Sequence, residues 1–308
     1  MLGKRNLKDY FVIALKGVAM GAADVVPGVS GGTIAFISGI YEELIDSISK
    51  VNISTIKLWK EEGFASMWKS VNGNFLLSLL IGIGLSIITL AKLIKHLLET
   101  QPVLIWSFFF GLVLASIIYV AKQIARWNIG TIILLISGAL VAYFITTLTP
   151  QVTNASYPYI FLSGALAICA MILPGISGSF ILLLLGMYKP VLDAIHDRNI
   201  GLLVTLMAGA IVGLLSFSRL LKWLFDHYEN MTLAVLTGFI IGSLNKIWPW
   251  KEVLRTEEIN GKIKILEEVS VLPQSYPGEA QLGFAILLAA VGFGFIMLLE
   301  KLALQKNQ

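Results

Sequence analysis

The sequence predicts an all-α polytopic membrane protein made of two inverted repeats, each a re-entrant helical hairpin followed by three transmembrane helices. Three observations predict it. Apolar residues are 56% of the chain and charged ones only 14%, against roughly 25% charged in soluble domains. The apolar residues form uncharged runs, each near the roughly 20 residues that cross a bilayer as a helix. Finally, one glycine-rich stretch occurs twice. The runs lack the alternation of transmembrane strands, which argues against a barrel. The net charge of +4 is of the size that positive-inside loops produce, and no basic stripe points to nucleic acid. Cys169 is the single cysteine, so no disulfide framework, metal cluster or cofactor is expected.

The repeat organises the chain. Pro27-Gly28-Val29-Ser30-Gly31-Gly32 returns 147 positions later as Pro174-Gly175-Ile176-Ser177-Gly178-Ser179. Over 27–48 against 174–195, nine of 22 positions agree: Pro27/Pro174, Gly28/Gly175, Ser30/Ser177, Gly31/Gly178, Ile34/Ile181, Gly39/Gly186, Tyr41/Tyr188, Asp46/Asp193 and Ile48/Ile195. At a shift of 127, residues 79–98 meet 206–225 with Gly82/Gly209, Lys92/Arg219, Leu93/Leu220 and Lys95/Lys222, and Gly111/Gly238 and Ser116/Ser243 extend the match.

Residues 1–9 are a basic end. Lys4, Arg5 and Lys8 before an apolar run imitate a signal peptide, but Lys16 interrupts the run and the segment belongs to a repeated unit, so it is expected to be retained. Residues 10–23 are too short to span alone. After the Pro-Gly break, 33–48 is expected to run back as a helix with Glu42, Glu43 and Asp46 near its far end, completing a hairpin over 10–48. Irregular backbone at membrane depth requires cover from protein or a wet cavity. Residues 49–73 are polar, a loop with short interfacial helices around 56–59 and 64–68. Spans follow at 75–95, 102–121 and 129–149, closing a first repeat over 1–149.

The second repeat, 150–308, begins with an uncharged connection at 150–157. Residues 157–188 are 32 without a charge. As one helix they would measure about 48 Å against a hydrocarbon core of about 30 Å, so Pro174-Gly175 must fold them back into a hairpin over 158–195. Spans are expected at 199–221, 231–247 and 281–299, with a charged segment at 248–280. A hairpin makes no net crossing, so three spans put the second half upside down relative to the first. The N-terminus, 49–73, Lys122, Arg126, Lys301 and Lys306 then share one side, the cytoplasm, and 150–157 and 248–280 lie outside.

The tips are the first candidate site. Glycines at 28, 31, 32, 175 and 178 let backbone N–H groups face inward, and the restarting helix offers unpaired N–H donors and a positive dipole end. Ser30, Thr33, Ser177 and Ser179 add hydroxyls, with Pro27 and Pro174 breaking the preceding helices. Two such tips facing each other would bind an anion without a fixed cation, an arrangement that transporters place at the repeat interface. The competing explanation is tight helix packing, which does not require a proline with a polar cluster, twice. Lys92 and Arg219, equivalent in the repeat, are candidates to pair a phosphate, or else snorkelling cations. Asp24, opposite Met171 in the repeat, is costly at that depth if ionised, so it is a candidate proton carrier or cation ligand, or else a turn cap. Glu42, Glu43, Asp46 and Asp193 read as a solvated or paired end. His96, His196 and His227 are scattered at helix ends and do not suggest a metal. Gly28-Val29-Ser30-Gly31-Gly32 also fits the G-x-S-x-G elbow, but no strand precedes it, which argues against a serine hydrolase.

The stretches Gly21-Ala-Ala-Asp-Val-Val-Pro-Gly-Val-Ser-Gly-Gly-Thr33 and Ile172-Leu-Pro-Gly-Ile-Ser-Gly-Ser179 closely resemble the signature of a bacterial membrane family, formerly domain-of-unknown-function 368 and now associated with polyprenyl-phosphate transport. The resemblance covers about residues 8–300. It implies a flippase that returns undecaprenyl phosphate, the carrier of cell-wall peptidoglycan precursors, from the outer to the inner leaflet of the cytoplasmic membrane. Both termini would be cytoplasmic, and protons or another ion could couple. Segment 248–280 is least served by the resemblance. Two other classes stay open: a membrane polyprenyl-pyrophosphate phosphatase and a transporter of a small soluble anion. The phosphatase needs acidic and basic catalytic groups beside its serine, and neither tip carries an arginine or a Glu-rich partner motif.

Overall fold

The computed structural model describes residues 5–26, 29–148, 156–259 and 262–306. Pro27 and Gly28 of the first tip, and residues 149–155 of the connection between the halves, lie outside the described residues. The first half comprises α1 (Leu7–Val25), α2 (Gly31–Ile37), α3 (Tyr41–Ser49), α4 (Ile53–Glu62), α5 (Phe64–Ser70), α6 (Gly73–Thr100), α7 (Pro102–Gln123) and α8 (Ile129–Thr147). In the second half α9 (Tyr157–Ile172), α10 (Gly178–Leu184), α11 (Tyr188–His196) and α12 (Ile200–Ser243) precede strands β1 (Lys251–Ile259) and β2 (Lys262–Ser270), and α13 (Leu282–Lys306) follows. Starts are capped where polar residues allow it. Asn6 opens α1 and Asn128 opens α8, each in a reciprocal capping box.

Among the described residues, α6, α7, α8 and α12 are long and apolar enough to cross a membrane, and the bent pair α10 and α11 passes the same test together. The single returning helix expected over 33–48 is instead two short helices, α2 and α3. The break falls at Gly39, whose φ of +68° is left-handed backbone that glycine adopts without strain. Gly186 repeats it at +65°, and α10 and α11 meet at 104°. Lys16, the charge that interrupts α1, donates from Nζ to the Ser38 carbonyl at 2.5 Å and so satisfies an acceptor that the end of α2 leaves open. Gly39→Ala is expected to cost about 1–2 kcal/mol. A methyl there meets no atom within 4 Å, so the whole loss is backbone strain. Gly84, an equally open helical glycine, is the control: its alanine variant should leave the thermal midpoint unchanged or raise it.

Residues 199–221 and 231–247, expected as separate spans, are joined. Ile200–Ile247 is 48 residues, about 72 Å as a straight rod, more than twice a hydrocarbon core of about 30 Å. Tyr228 breaks it with φ −138° and ψ 43°, so two helices meet at a kink without a loop. Segment 248–280 departs from all-α: β1 and β2 form an antiparallel ribbon. Its signal in the sequence is Asn260-Gly261 between two β-rich stretches, the common chemistry of a tight hairpin.

Helices seat on one another where a glycine admits a carbonyl. A methyl on Gly82 of α6 would stand 2.0 Å from the Ala14 oxygen of α1, and one on Gly209 of α12 would stand 1.9 Å from the Phe161 oxygen of α9. Gly17 meets Leu79 and Gly164 meets Leu206 in the same way. Every partner here occupies the repeat-equivalent position of its counterpart. The later spans exchange. Gly111 of α7 takes the Ala289 oxygen of α13, and Gly238 of α12 takes the Leu135 oxygen of α8; reciprocally, Gly292 meets Phe108 and Gly138 meets Val235. α7 thus packs on the last helix of the second half, and the end of α12 packs on the last helix of the first. Such close backbone approach replaces the hydrophobic drive that lipid removes.

Candidate functional site

The two tips touch. Ser30 caps α2, its Oγ accepting from the Gly32 N–H at 3.1 Å. The same hydroxyl lies 3.2 Å from the Met171 carbonyl and 3.1 Å from that of Leu173, to which its proton can be donated at the end of α9. From the second tip the Gly175 N–H donates to Thr33 Oγ1 at 2.9 Å. A methyl on Gly32 would stand 2.4 Å from the Ile172 carbonyl oxygen, so the first tip is pressed against the second. Ser30 and Thr33 are each 1% exposed. Of the first-tip candidates Ser30, Gly32 and Thr33 share this contact, Gly31 faces Asp24 instead, and Pro27 and Gly28 fall outside the described residues.

Asp24 lies beneath the tip. Its Oδ1 accepts from the Gly31 N–H at 2.7 Å, and a methyl on Gly31 would stand 2.5 Å from its Oδ2. The carboxylate therefore occupies the place at the start of α2 that a ligand anion would seek. Among the described residues of the first tip, the Gly31 and Gly32 donors both have protein acceptors. α2 is seven residues long, short of a full-length dipole.

The second tip is built differently. Met171 replaces Asp24 and is 40% exposed. Ser177 and Ser179 hydroxyls lie 2.9 Å apart. Pro174, Gly175, Ser177 and Gly178 are buried, whereas Ser179 is exposed and its counterpart Gly32 is buried. One tip is closed and the other is open at Ser179. A serine could not replace Gly32 without striking the Ile172 carbonyl, which explains the difference between the copies.

The cationic candidates are not gathered at the tips. Arg219 donates from Nη2 to the Val51 carbonyl at 2.8 Å and from Nε to that of Ser49 at 3.5 Å, tying α12 to the end of α3. Lys92 is exposed on α6. Asp46 pairs with Lys50 and, at 3.8 Å, with Lys222, which also bonds Asp226 at 2.5 Å. Glu43 takes a bidentate pair from Arg5 at 2.5 and 2.7 Å. Among the described residues, no group of three His, Cys, Asp or Glu could hold a metal ion.

A charged cluster that the sequence reading passed over flanks the second tip. Lys246 and Lys251 donate to the same Glu268 oxygen at 2.9 and 2.8 Å. Lys246 Nζ sits 4.7 Å over the Phe180 ring, next in sequence to Ser179, and Lys251 Nζ sits 4.9 Å over Trp106 of α7. Burial lowers the Lys251 ammonium from its ordinary 10.5 to about 8. Burial would raise the Glu268 carboxyl, but the two ammonium groups outweigh it and hold it below its ordinary value. The available signal was Trp248-Pro249-Trp250 set between two lysines, the pattern of an aromatic membrane belt.

Residues 20–264 match the family described as undecaprenyl phosphate translocase-like. The chain is 49% identical over 303 residues to a polyprenyl-phosphate transporter of Vibrio cholerae serotype O1, covering 96% of this chain and 97% of that protein. It is 32% identical over 253 residues to a polyprenyl-phosphate transporter of Staphylococcus aureus, covering 76% and 85%. No solved structure matches.

Proposed function

Because the chain belongs to the undecaprenyl phosphate translocase-like family, we propose that it carries undecaprenyl phosphate from the outer to the inner leaflet of the bacterial cytoplasmic membrane, where the lipid is reused for cell-wall synthesis. It is a transporter and not an enzyme: the phosphate monoester leaves unaltered. The difficult step is the headgroup, because an ion without partners in hydrocarbon costs many kcal/mol, whereas the prenyl tail can trail in lipid. The two tips shield the headgroup at the junction of two inverted repeats, which open alternately to either leaflet.

The observation that carries this reading is a contrast. Span packing repeats pair for pair between the halves, through Gly82 and Gly209 and through Gly111 and Gly238. The tips, by contrast, are unequal, with Gly32 sealed on Ile172 and Ser179 open. A symmetric frame holding an asymmetric pair of gates is what alternating access between equivalent states requires. Parity of the spans and the loop charges support inverted repeats with both termini cytoplasmic. In the closed tip Asp24 holds the Gly31 donor that a phosphate needs. Protonating that carboxylate would weaken its hold on the donor and remove the charge that repels a phosphate, which makes Asp24 the coupling residue and a proton the simplest coupling ion.

The test is leaflet accessibility of labelled undecaprenyl phosphate in proteoliposomes with and without the purified chain. Protein-dependent exchange is expected, and its absence would overturn the reading. Ser177→Ala should slow exchange because it removes a hydroxyl from the open tip. Arg219→Ala should slow it by untying α12 from α3. Full exchange in both, with native unfolding midpoints, would defeat the site assignment.

A further inference from the structure

We propose that Lys246 and Lys251 form the receiving site for the phosphate monoester of a prenyl lipid beside the second tip, with Glu268 holding the two ammonium groups until the lipid arrives. This rests on the transport reading above and assigns residues to its outer entrance, since the ribbon lies on the outer face in the proposed orientation.

Three features of the cluster point to an anion. First, two cations converge on one carboxylate oxygen, and Glu268 is the carboxylate paired with either lysine among the described residues. A buried anchor for the ribbon would need one cation per anion, and an excess positive charge away from water is costly without a counter-ion. The side chains are 19%, 9% and 20% exposed for Lys246, Lys251 and Glu268, so the excess charge is shielded yet reachable. Second, a phosphate monoester carries close to two negative charges and three acceptor oxygens, enough to satisfy both ammonium groups where one carboxylate oxygen now serves them. Third, the position is right. Gly175 of the second tip packs on Ser243 and Phe239 at the end of α12. Lys246 lies one turn further on, over the ring that follows the exposed Ser179.

The surroundings select a lipid over a free anion. Each ammonium is roofed by an aromatic ring, Phe180 or Trp106, and such rings present apolar faces to the first isoprene units while they stabilise the cations. The Lys251 ammonium also donates to the Lys246 carbonyl, which fixes the two cations relative to each other before any ligand arrives.

The experiment is equilibrium binding of farnesyl phosphate, farnesol and inorganic phosphate to the purified full chain in nanodiscs, read by tryptophan fluorescence. The native chain should bind farnesyl phosphate at least about tenfold more tightly than either fragment, each of which lacks one half of the contacts. Lys246→Gln and Lys251→Gln should each weaken it by about tenfold or more. Glu268→Gln should tighten it, because the competing charge is gone while the side chain is kept. A ribbon anchor without a ligand predicts the opposite pattern: all three variants lower the unfolding midpoint and none changes affinity, which would overturn the proposal. Should Lys251→Gln fail to fold, Lys246→Gln, the more exposed of the pair, decides. Inorganic phosphate binding as tightly as farnesyl phosphate would overturn the lipid assignment. Absence of binding by the native chain would count against transport and this site together; native binding with unaltered lysine variants would count against this site alone.

Discussion

Gly32→Ala is expected to abolish lipid exchange and to lower the thermal unfolding midpoint of the purified protein. The added methyl would stand 2.4 Å from the Ile172 carbonyl oxygen, well inside van der Waals contact. That oxygen belongs to the backbone of α9 and cannot turn aside as a side chain would. Overpacking a fitted interface costs about 1–3 kcal/mol, and a fixed neighbour places this case at the upper end. To relieve the clash the first tip must lift from the second. Lifting it loses the Ser30 bonds to Met171 and Leu173 and the Gly175 bond to Thr33. Ser179→Ala is the matched control: it alters the equivalent position of the other copy, which is exposed, and should leave the midpoint unchanged. A Gly32→Ala protein with native midpoint and native exchange would show that the tips do not need to close on each other.

Asp24→Asn is expected to fold normally and to translocate at least about tenfold more slowly, the loss of one charge-dependent interaction. The asparagine Oδ1 can still accept from the Gly31 N–H, so the 2.7 Å bond that Asp24 makes is replaced by a neutral one. The charge is the sole property removed. Asp24→Ala adds a second defect, a buried N–H without its acceptor, worth about 1–3 kcal/mol. The two variants thus separate structure from transport. If Asp24 only caps the turn, the asparagine variant exchanges lipid at the native rate and the alanine variant fails through instability. If the carboxylate carries a proton, both fail, and the asparagine variant does so with a native midpoint. Native exchange by Asp24→Asn would remove the coupling role proposed above.

Much of the architecture was legible in the chain because membrane helices announce themselves by length and composition. The runs at 75–95, 102–121 and 129–149 meet α6, α7 and α8 within a few residues, since uncharged apolar sequence has few other places to go. The break at Pro174-Gly175 was legible from an argument of length, 157–188 being too long for one crossing, and α9 does end at Ile172. The break at Gly39 was visible as an identity with Gly186 but not as a turn. A glycine between apolar residues is equally compatible with helix packing, and only the backbone angle distinguishes them. The ribbon was overlooked because its residues alternate weakly and are rich in charge, so composition marked it only as a charged segment; Asn260-Gly261 was the better guide. Lys92 and Arg219 illustrate the converse. Repeat equivalence pairs them, but Arg219 is spent on the carbonyls at the end of α3.

The duplication, the membrane class and the family are properties of the sequence itself, because hydropathy and motif spacing are local and survive without coordinates. Which donors remain available is a different kind of property. That Asp24 occupies the Gly31 N–H, that Gly32 is sealed while Ser179 is open, and that Lys246 and Lys251 converge on Glu268 beside the second tip depend on contacts between separate elements of the chain. Those contacts are decided by how helix backbones approach through glycine. Only the folded arrangement of carbonyls and carboxylates determines which polar groups are already satisfied and which are left for a ligand.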